Sequence, residues 1–258
     1  MTTPAGSSPG RLIITADDFG LDRPSNEAII SALVRGWVTH ASLLVNLGHA
    51  DDACALARAQ RVEARIGVHL NFSEGEPLTA SLGRCAAFCA YGQFRPVEEF
   101  PRYRTLSEEE KALFAAEVRA QIAAAIGRGI PVSHLDSHND VHIAPSVARI
   151  VANTAHELGI PRVRISRNCG LRQGVVRRVH HRTYNAWLTR RGLRGVRYYG
   201  TVDDMVWLGR RGALGPESTV EIMTHPRRGA DGEIVDVPSM EPLGNRLKRL
   251  RPYLPVTA

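Results

Sequence analysis

The 258 residues carry 33 Lys and Arg against 26 Asp and Glu, a formal net charge of +7, with 43% hydrophobic and 23% charged residues. Such a composition describes a globular chain with enough apolar residues for a sizeable core, not an intrinsically disordered one. No apolar run approaches the roughly 20 residues of a membrane-spanning helix, and MTTPAGSSPG at the start lacks a signal-peptide pattern, so no membrane span and a cytoplasmic location are expected.

Residues 1–10 are expected to form a flexible tail ahead of a single domain over 11–258. RLIITA (11–16) predicts a buried strand that ends on adjacent carboxylates, Asp17 and Asp18. Two such groups repel, and burying either is costly without a nearby positive charge, so either both face water or they share a cation. A helix is expected from Ser25, as cap, to Gly36, as stop. HASLLVN (40–46) and ARIGVHLNF (64–72) predict strands separated by a helix over 50–61, and the latter strand carries His69 near its end.

The stretch 74–106 is a connection of unusual length. Phe88, Tyr91, Phe94, Phe100 and Tyr103 argue that it packs. A helix over 107–129 opens with Ser107 and Glu110 at capping-box spacing. VSHLDSH (132–138) is the next strand, followed by a helix with Pro145 near its start and Gly159 after its end. RVRIS (162–166) and TVEIMTH (219–225) are expected strands, with a helix over 175–192 between them and a closing helix over 244–254. Alternation of apolar strands with amphipathic helices, with no GxGxxG or P-loop pattern, predicts an α/β fold, a single-domain distorted (β/α) TIM-like barrel with long βα-loop insertions.

Cys54, Cys85, Cys89 and Cys169 match no zinc pattern and read as incidental thiols. Eleven arginines and no acidic residue fall within 162–197, so the rest of the chain is net acidic. Such a stripe is either solvated charge or faces an anionic ligand, and no nucleic-acid fingerprint accompanies it.

Polar residues gather where the apolar strands stop: Asp17, Asp18, His69, then His134, Asp136, His138 and His142 in HLDSHNDVH, and His225 in EIMTHP. Alternation along a strand lets His134, Asp136 and His138 share one side. A lone strand-end His is usually a hydrogen-bonded core residue and an Asp at such a junction usually a cap, which suffices for Asp22, His40, His49, His180 and His181. Several strand ends each delivering His or Asp instead favour a site for one divalent metal, because imidazole with carboxylate is a metal ligand set that leaves room for water.

TADDFG, GVHLN, HLDSHNDVH and EIMTHP, in this order, resemble the YdjC-like carbohydrate deacetylases over about residues 11–226. The resemblance implies a distorted (β/α) barrel holding magnesium or zinc through Asp18, His69 and His138, with Asp17 as the base that activates water. Many members read SHHHVH where Asn139 and Asp140 stand here. On this reading His225, then His142, are the candidate acids, Asp136 and His134 support the ligands, and Asn71, Glu74 and Arg164 contact substrate. The expected reaction is hydrolysis of the N-acetyl group of an amino sugar, itself free, phosphorylated or lipid-linked, and a homo-oligomer is compatible with the sequence. The arginines leave two other readings open: a different metal-dependent hydrolase, such as a phosphoesterase, or a non-catalytic polyanion-binding module.

Overall fold

The computed structural model describes residues 12–169, 175–193, 195–215 and 217–256. The tail expected at 1–10 lies outside the described residues.

Strand β1 (Leu12–Phe19) leads into helix α1 (Arg23–Val34), strand β2 (His40–Leu43), helix α2 (Ala50–Ala59) and strand β3 (Ile66–Leu70). Asp22, not Ser25, caps α1: its side chain accepts from the Ser25 N–H, because Pro24 opens the first turn and the helix starts three residues earlier. The long connection then forms helix α3 (Ala80–Gly83) and a hairpin of β4 (Cys89–Ala90) and β5 (Gln93–Phe94). Phe88, Phe94 and Phe100 are buried in a ring cluster with Phe72 and with Phe114 of helix α4 (Glu108–Gly127). Tyr91 and Tyr103 do not join them and stand exposed. The Ser107–Glu110 capping box of α4 is present in full.

Strand β6 (Leu135–Ser137) follows, then helix α5 (Ala148–Glu157), helix α6 (Val175–Arg190), strand β7 (Tyr198–Gly200), helix α7 (Val202–Arg210) and strand β8 (Val220–Thr224). Strand β7 and helix α7 have no counterpart among the expected elements. Strands β9 (Pro226–Arg228), β10 (Ile234–Asp236) and β11 (Glu241–Pro242) form a small antiparallel sheet before helix α8 (Leu243–Lys248).

The main sheet is parallel, in the order β6-β3-β2-β1-β8-β7. Within segment 162–168, residues 162–166, expected to be a strand, make one isolated bridge, Leu135 to Val163. The segment nevertheless bonds on both flanks: Leu135 N–H donates to the Arg162 carbonyl, and Asn168 N–H donates to the Tyr199 carbonyl. It therefore spans the gap between β6 and β7 and curls the sheet into a distorted barrel. The strands are buried almost throughout, as parallel strands covered by helices must be. Their C-terminal ends converge on one rim, where such folds carry their sites.

Candidate metal centre

The end of β1 is irregular. Ala16 pairs with Ala41 and Phe19 with Leu43, so β1 carries one more residue than β2 across this interval. Asp18 takes φ +67° within that bulge. A bulge re-aims side chains that would otherwise simply alternate, and Asp tolerates the left-handed region better than most residues. Asp17 turns into the interior, where it is 3% exposed, and Asp18 turns toward the rim.

At the rim Asp18 Oδ1 lies 2.9 Å from His138 Nδ1 and 3.4 Å from His69 Nε2. One donor atom from each of the three lies within 4.8 Å of the other two. Ligands about 2.1 Å from a small divalent ion sit about 3.0–3.4 Å from one another in octahedral or tetrahedral geometry, so this donor set fits such an ion. Each imidazole is oriented through its other nitrogen. His69 Nδ1 donates to Asp136 Oδ1 at 2.7 Å, leaving Nε2 facing Asp18, and His138 Nε2 lies 3.1 Å from Glu74 Oε1.

Below the rim is a buried charge network centred on Arg164, which is 2% exposed. Its Nη1 and Nη2 donate to Asp17 Oδ2 and Oδ1, each at 2.7 Å, and Nη2 also reaches Asp136 Oδ2 at 2.7 Å. Its Nε donates to Glu221 Oε1 at 2.8 Å, while Arg162 Nη1 donates to Glu221 Oε2 at 3.0 Å. One planar guanidinium thus holds Asp17 and the orienter of His69 together, a role its rigid fork suits. With both imidazoles neutral, as metal ligands must be, Asp17, Asp18, Asp136 and Glu221 face Arg162 and Arg164 as the cations of this network among the described residues, a deficit of two positive charges that one divalent ion would match.

The titration of the site reflects that deficit. Burial alone would pull the His69 imidazolium down, but Asp136 and Asp17 outweigh it and push it up to about 10. His138 is also raised, its hydrogen bond to Asp18 overcoming burial. Asp18 stays well below the usual carboxylate range despite burial, because both imidazoles bond to it. Burial pushes Asp17 up against the opposing pull of Arg164.

The remaining expected residues fall in different places. Asp136 is fully buried and accepts from Ser42 Oγ as well as from His69 and Arg164. His134, kept neutral by burial and the nearby Arg162, bonds the same Ser42 at 3.0 Å and so supports Asp136 from behind. His225 follows Thr224, which pairs with Ala16, so His225 and Asp17 leave adjacent strands side by side. Its ring is half-buried, with no hydrogen bond to a described residue.

Three expectations need correction. Arg164 is not an exposed substrate contact, because its guanidinium is enclosed by three carboxylates. Asn71 is fully buried and shapes the turn after β3: its Oδ1 accepts from the Ser73 and Glu74 N–H groups, and Gln121 of α4 bonds its backbone. His142 has no exposed atom to offer a leaving group, since Nδ1 meets Ser137 Oγ and Nε2 meets the Arg164 carbonyl. Glu74 borders the opening with about half its side chain exposed, but its carboxylate also touches His138. Glu221 escaped sequence reasoning, although a carboxylate between Val220 and Ile222 in an apolar strand is a usable signal. Among the arginines of 162–197, Arg162 and Arg164 face inward and Arg167 pairs with Asp204; Arg172, Arg194 and the Arg177 side chain lie outside the described residues.

The family model described as YdjC-like protein matches residues 11–250. The chain belongs to this family. Curated relatives of this YdjC-like chain include proteins named carbohydrate deacetylase from Danio rerio, 30% identical over 73% of this chain and 60% of that one, and from Vibrio cholerae, 34% identical over 58% and 57%. A third, from Halalkalibacterium halodurans, is 34% identical over 58% and 62%. The chain thus spans about three fifths of the length of the curated relatives it matches. A solved structure from Enterococcus faecalis, titled for cellobiose-phosphate cleavage, superposes with a TM-score of 0.67 at 20% identity, covering 95% of this chain and 91% of that one. At that identity the likeness shows the fold alone.

Proposed function

We propose that the chain is a metal-dependent carbohydrate deacetylase, hydrolysing the N-acetyl group of an amino sugar to a free amine and acetate. The observation that carries this reading is the donor triad Asp18, His69 and His138 beside a second, buried carboxylate, Asp17, in a chain whose curated relatives are named carbohydrate deacetylases.

Asp18, His69 and His138 would hold a magnesium or zinc ion, which supplies Lewis-acid polarisation of the acetyl carbonyl and acidifies water. Asp17 accepts the proton of the attacking water. Both its oxygens are gripped by Arg164, yet each carboxylate oxygen has a further lone pair, so the clamp orients the base without saturating it. Attack at the carbonyl carbon gives a tetrahedral centre. The carbon–nitrogen bond then breaks as the departing amine takes a proton from His225, which follows Thr224, the β8 partner of Ala16 in β1. Asp136 fixes the tautomer of His69 throughout.

Acetate release from a panel of N-acetylated sugars, with magnesium or zinc and with chelator, tests the reading. Release that chelator abolishes is expected; no release from any acetamido sugar by the metal-loaded protein overturns it. A phosphoesterase would draw on the arginines of 162–197, but Arg162, Arg164 and Arg167 are engaged with carboxylates. Phosphate release from the same panel checks that alternative.

A further inference from the structure

The proposed reaction draws a proton from His225, yet no hydrogen bond among the described residues orients its half-buried ring. The restraint lies on the main chain instead, on both sides of the residue. The His225 N–H donates to Asp236 Oδ1 at 2.8 Å, and the His225 carbonyl accepts from the Val237 N–H at 3.0 Å. Pro226 follows, and a residue ahead of proline is pushed toward extended backbone.

Asp236 is itself firmly built in. It closes β10, stands 3% exposed and pairs with Pro226 of β9. Its carbonyl accepts from the Ser239 and Met240 N–H groups, at 3.1 and 2.8 Å, which closes the turn toward β11. Its Oδ2 lies 2.9 Å from Nε of Arg246, a residue 4% exposed in α8. The same guanidinium donates through Nη2 to Asp203 Oδ2 of α7 at 3.0 Å, and its Nη1 faces Glu241 of β11 at 3.8 Å. One oxygen of a buried carboxylate thus meets a cation held by two further acids, and the other meets the amide of His225. A hydrogen bond to an ionised acceptor is roughly twice as strong as one between neutral groups.

We propose that Asp236, locked by Arg246, is a positioning residue for His225. The inference rests on the deacetylase reading for the use of the proton, not for the restraint. Fixing the amide and the carbonyl sets the direction of the Cα–Cβ bond and leaves two side-chain torsions to settle. Both ring nitrogens then stay unoccupied, one for the departing amine and the other open for reprotonation. A ring bonded directly to a carboxylate, as His69 is to Asp136, has one nitrogen already spent. Displacing a reacting group by about 1 Å can cost about 10²-fold in rate, so such a tether matters. The small sheet β9–β11 and helices α7 and α8 supply no donor to the metal triad. On this reading they serve the reaction by holding Asp236 and Arg246 in place.

A double-mutant cycle on acetate release by the magnesium- or zinc-loaded protein tests this, with the β-linked disaccharide of N-acetylglucosamine as probe. Asp236→Ala is expected to lower kcat about 10–100-fold with KM nearly unchanged, as for a displaced proton donor. Asp236→Asn, whose amide oxygen still accepts from the His225 N–H, is expected to fall between it and the wild type. In a His225→Ala background either change is expected to cost about 2-fold or less, since nothing remains to be positioned. An equal cost in both backgrounds marks a purely structural role and overturns the proposal, as does an unchanged kcat in Asp236→Ala. If Asp236→Ala does not fold, Asp236→Asn carries the same cycle alone and is judged by the same two outcomes. Magnetic relaxation of the His225 ring Cε1–H in 13C-histidine protein, its signal assigned by its loss in His225→Ala, needs no turnover. The ring is expected to move more freely in the Asp236 variants, and a ring equally ordered in wild type and variants overturns the proposal. A loosened ring with no acetate released by the wild type removes the deacetylase reading alone. Acetate release with ring order and kcat both unchanged removes the positioning role alone.

Discussion

Asp17 and Asp18 are consecutive in the chain, yet they meet different partners, because the left-handed backbone at Asp18 sends one carboxylate inward and the other to the rim. Their separation makes two roles testable apart. Asp17→Asn keeps the three donors and should retain metal by elemental analysis while turnover falls by about 10²–10⁴-fold, the usual contribution of a general base. His138→Ala should lose both metal and turnover. A wild-type rate in Asp17→Asn would reject the base assignment. Arg164 invites a second test at this scale. Replacing it with Met leaves Asp17, Asp136 and Glu221 buried without their shared cation, and removing one partner of a buried ion pair costs about 3–5 kcal/mol. Denaturant unfolding should show that loss, whereas an exposed substrate-binding arginine would leave stability nearly unchanged.

Among the elements, β3 and β6 set how closely the site can be drawn together. Gly67 lies against the ring of His134, and a Cβ built there would stand 2.4 Å from His134 Nδ1. Gly67→Ala must therefore displace His134, which bonds Ser42 and through it supports Asp136. Overpacking of this kind costs about 1–3 kcal/mol. Denaturation should show that cost, and metal retention should fall as well, because Asp136 orients His69. The strand ends that supply His69, Asp136 and His138 were legible as sequence, since a polar residue closing an apolar run stands out. The pairing of Asp136 with His69 was not, because it depends on β3 lying beside β6 with His69 opposite Asp136. Likewise Arg164, expected as a substrate contact, is turned inward because segment 162–168 spans β6 and β7.

For the whole molecule, the deficit of two positive charges makes folding and ion binding a linked equilibrium. An ion that binds only the folded chain at 100 times its Kd adds about 2.7 kcal/mol, which for a chain of this size raises Tm by about 5–10 °C. Thermal melts with magnesium or zinc should show that rise, and Asp18→Asn should abolish it; a Tm indifferent to metal would mean that the protons on His69 and His138 already balance the site. By itself the sequence determined the α/β alternation, the capping box of α4 and the collection of His and Asp at strand ends, because periodicity, caps and polar interruptions are local properties of neighbouring residues. Only the tertiary structure decided that Arg164 clamps Asp17, that Glu221 anchors Arg164, and that Asn71 and His142 are enclosed. Those choices follow from strand order, which brings Thr15 and Glu221 into contact across 206 residues, and from the bulge at Asp18. Side-chain direction after a bulge and partners across a barrel depend on packing, which no local pattern encodes.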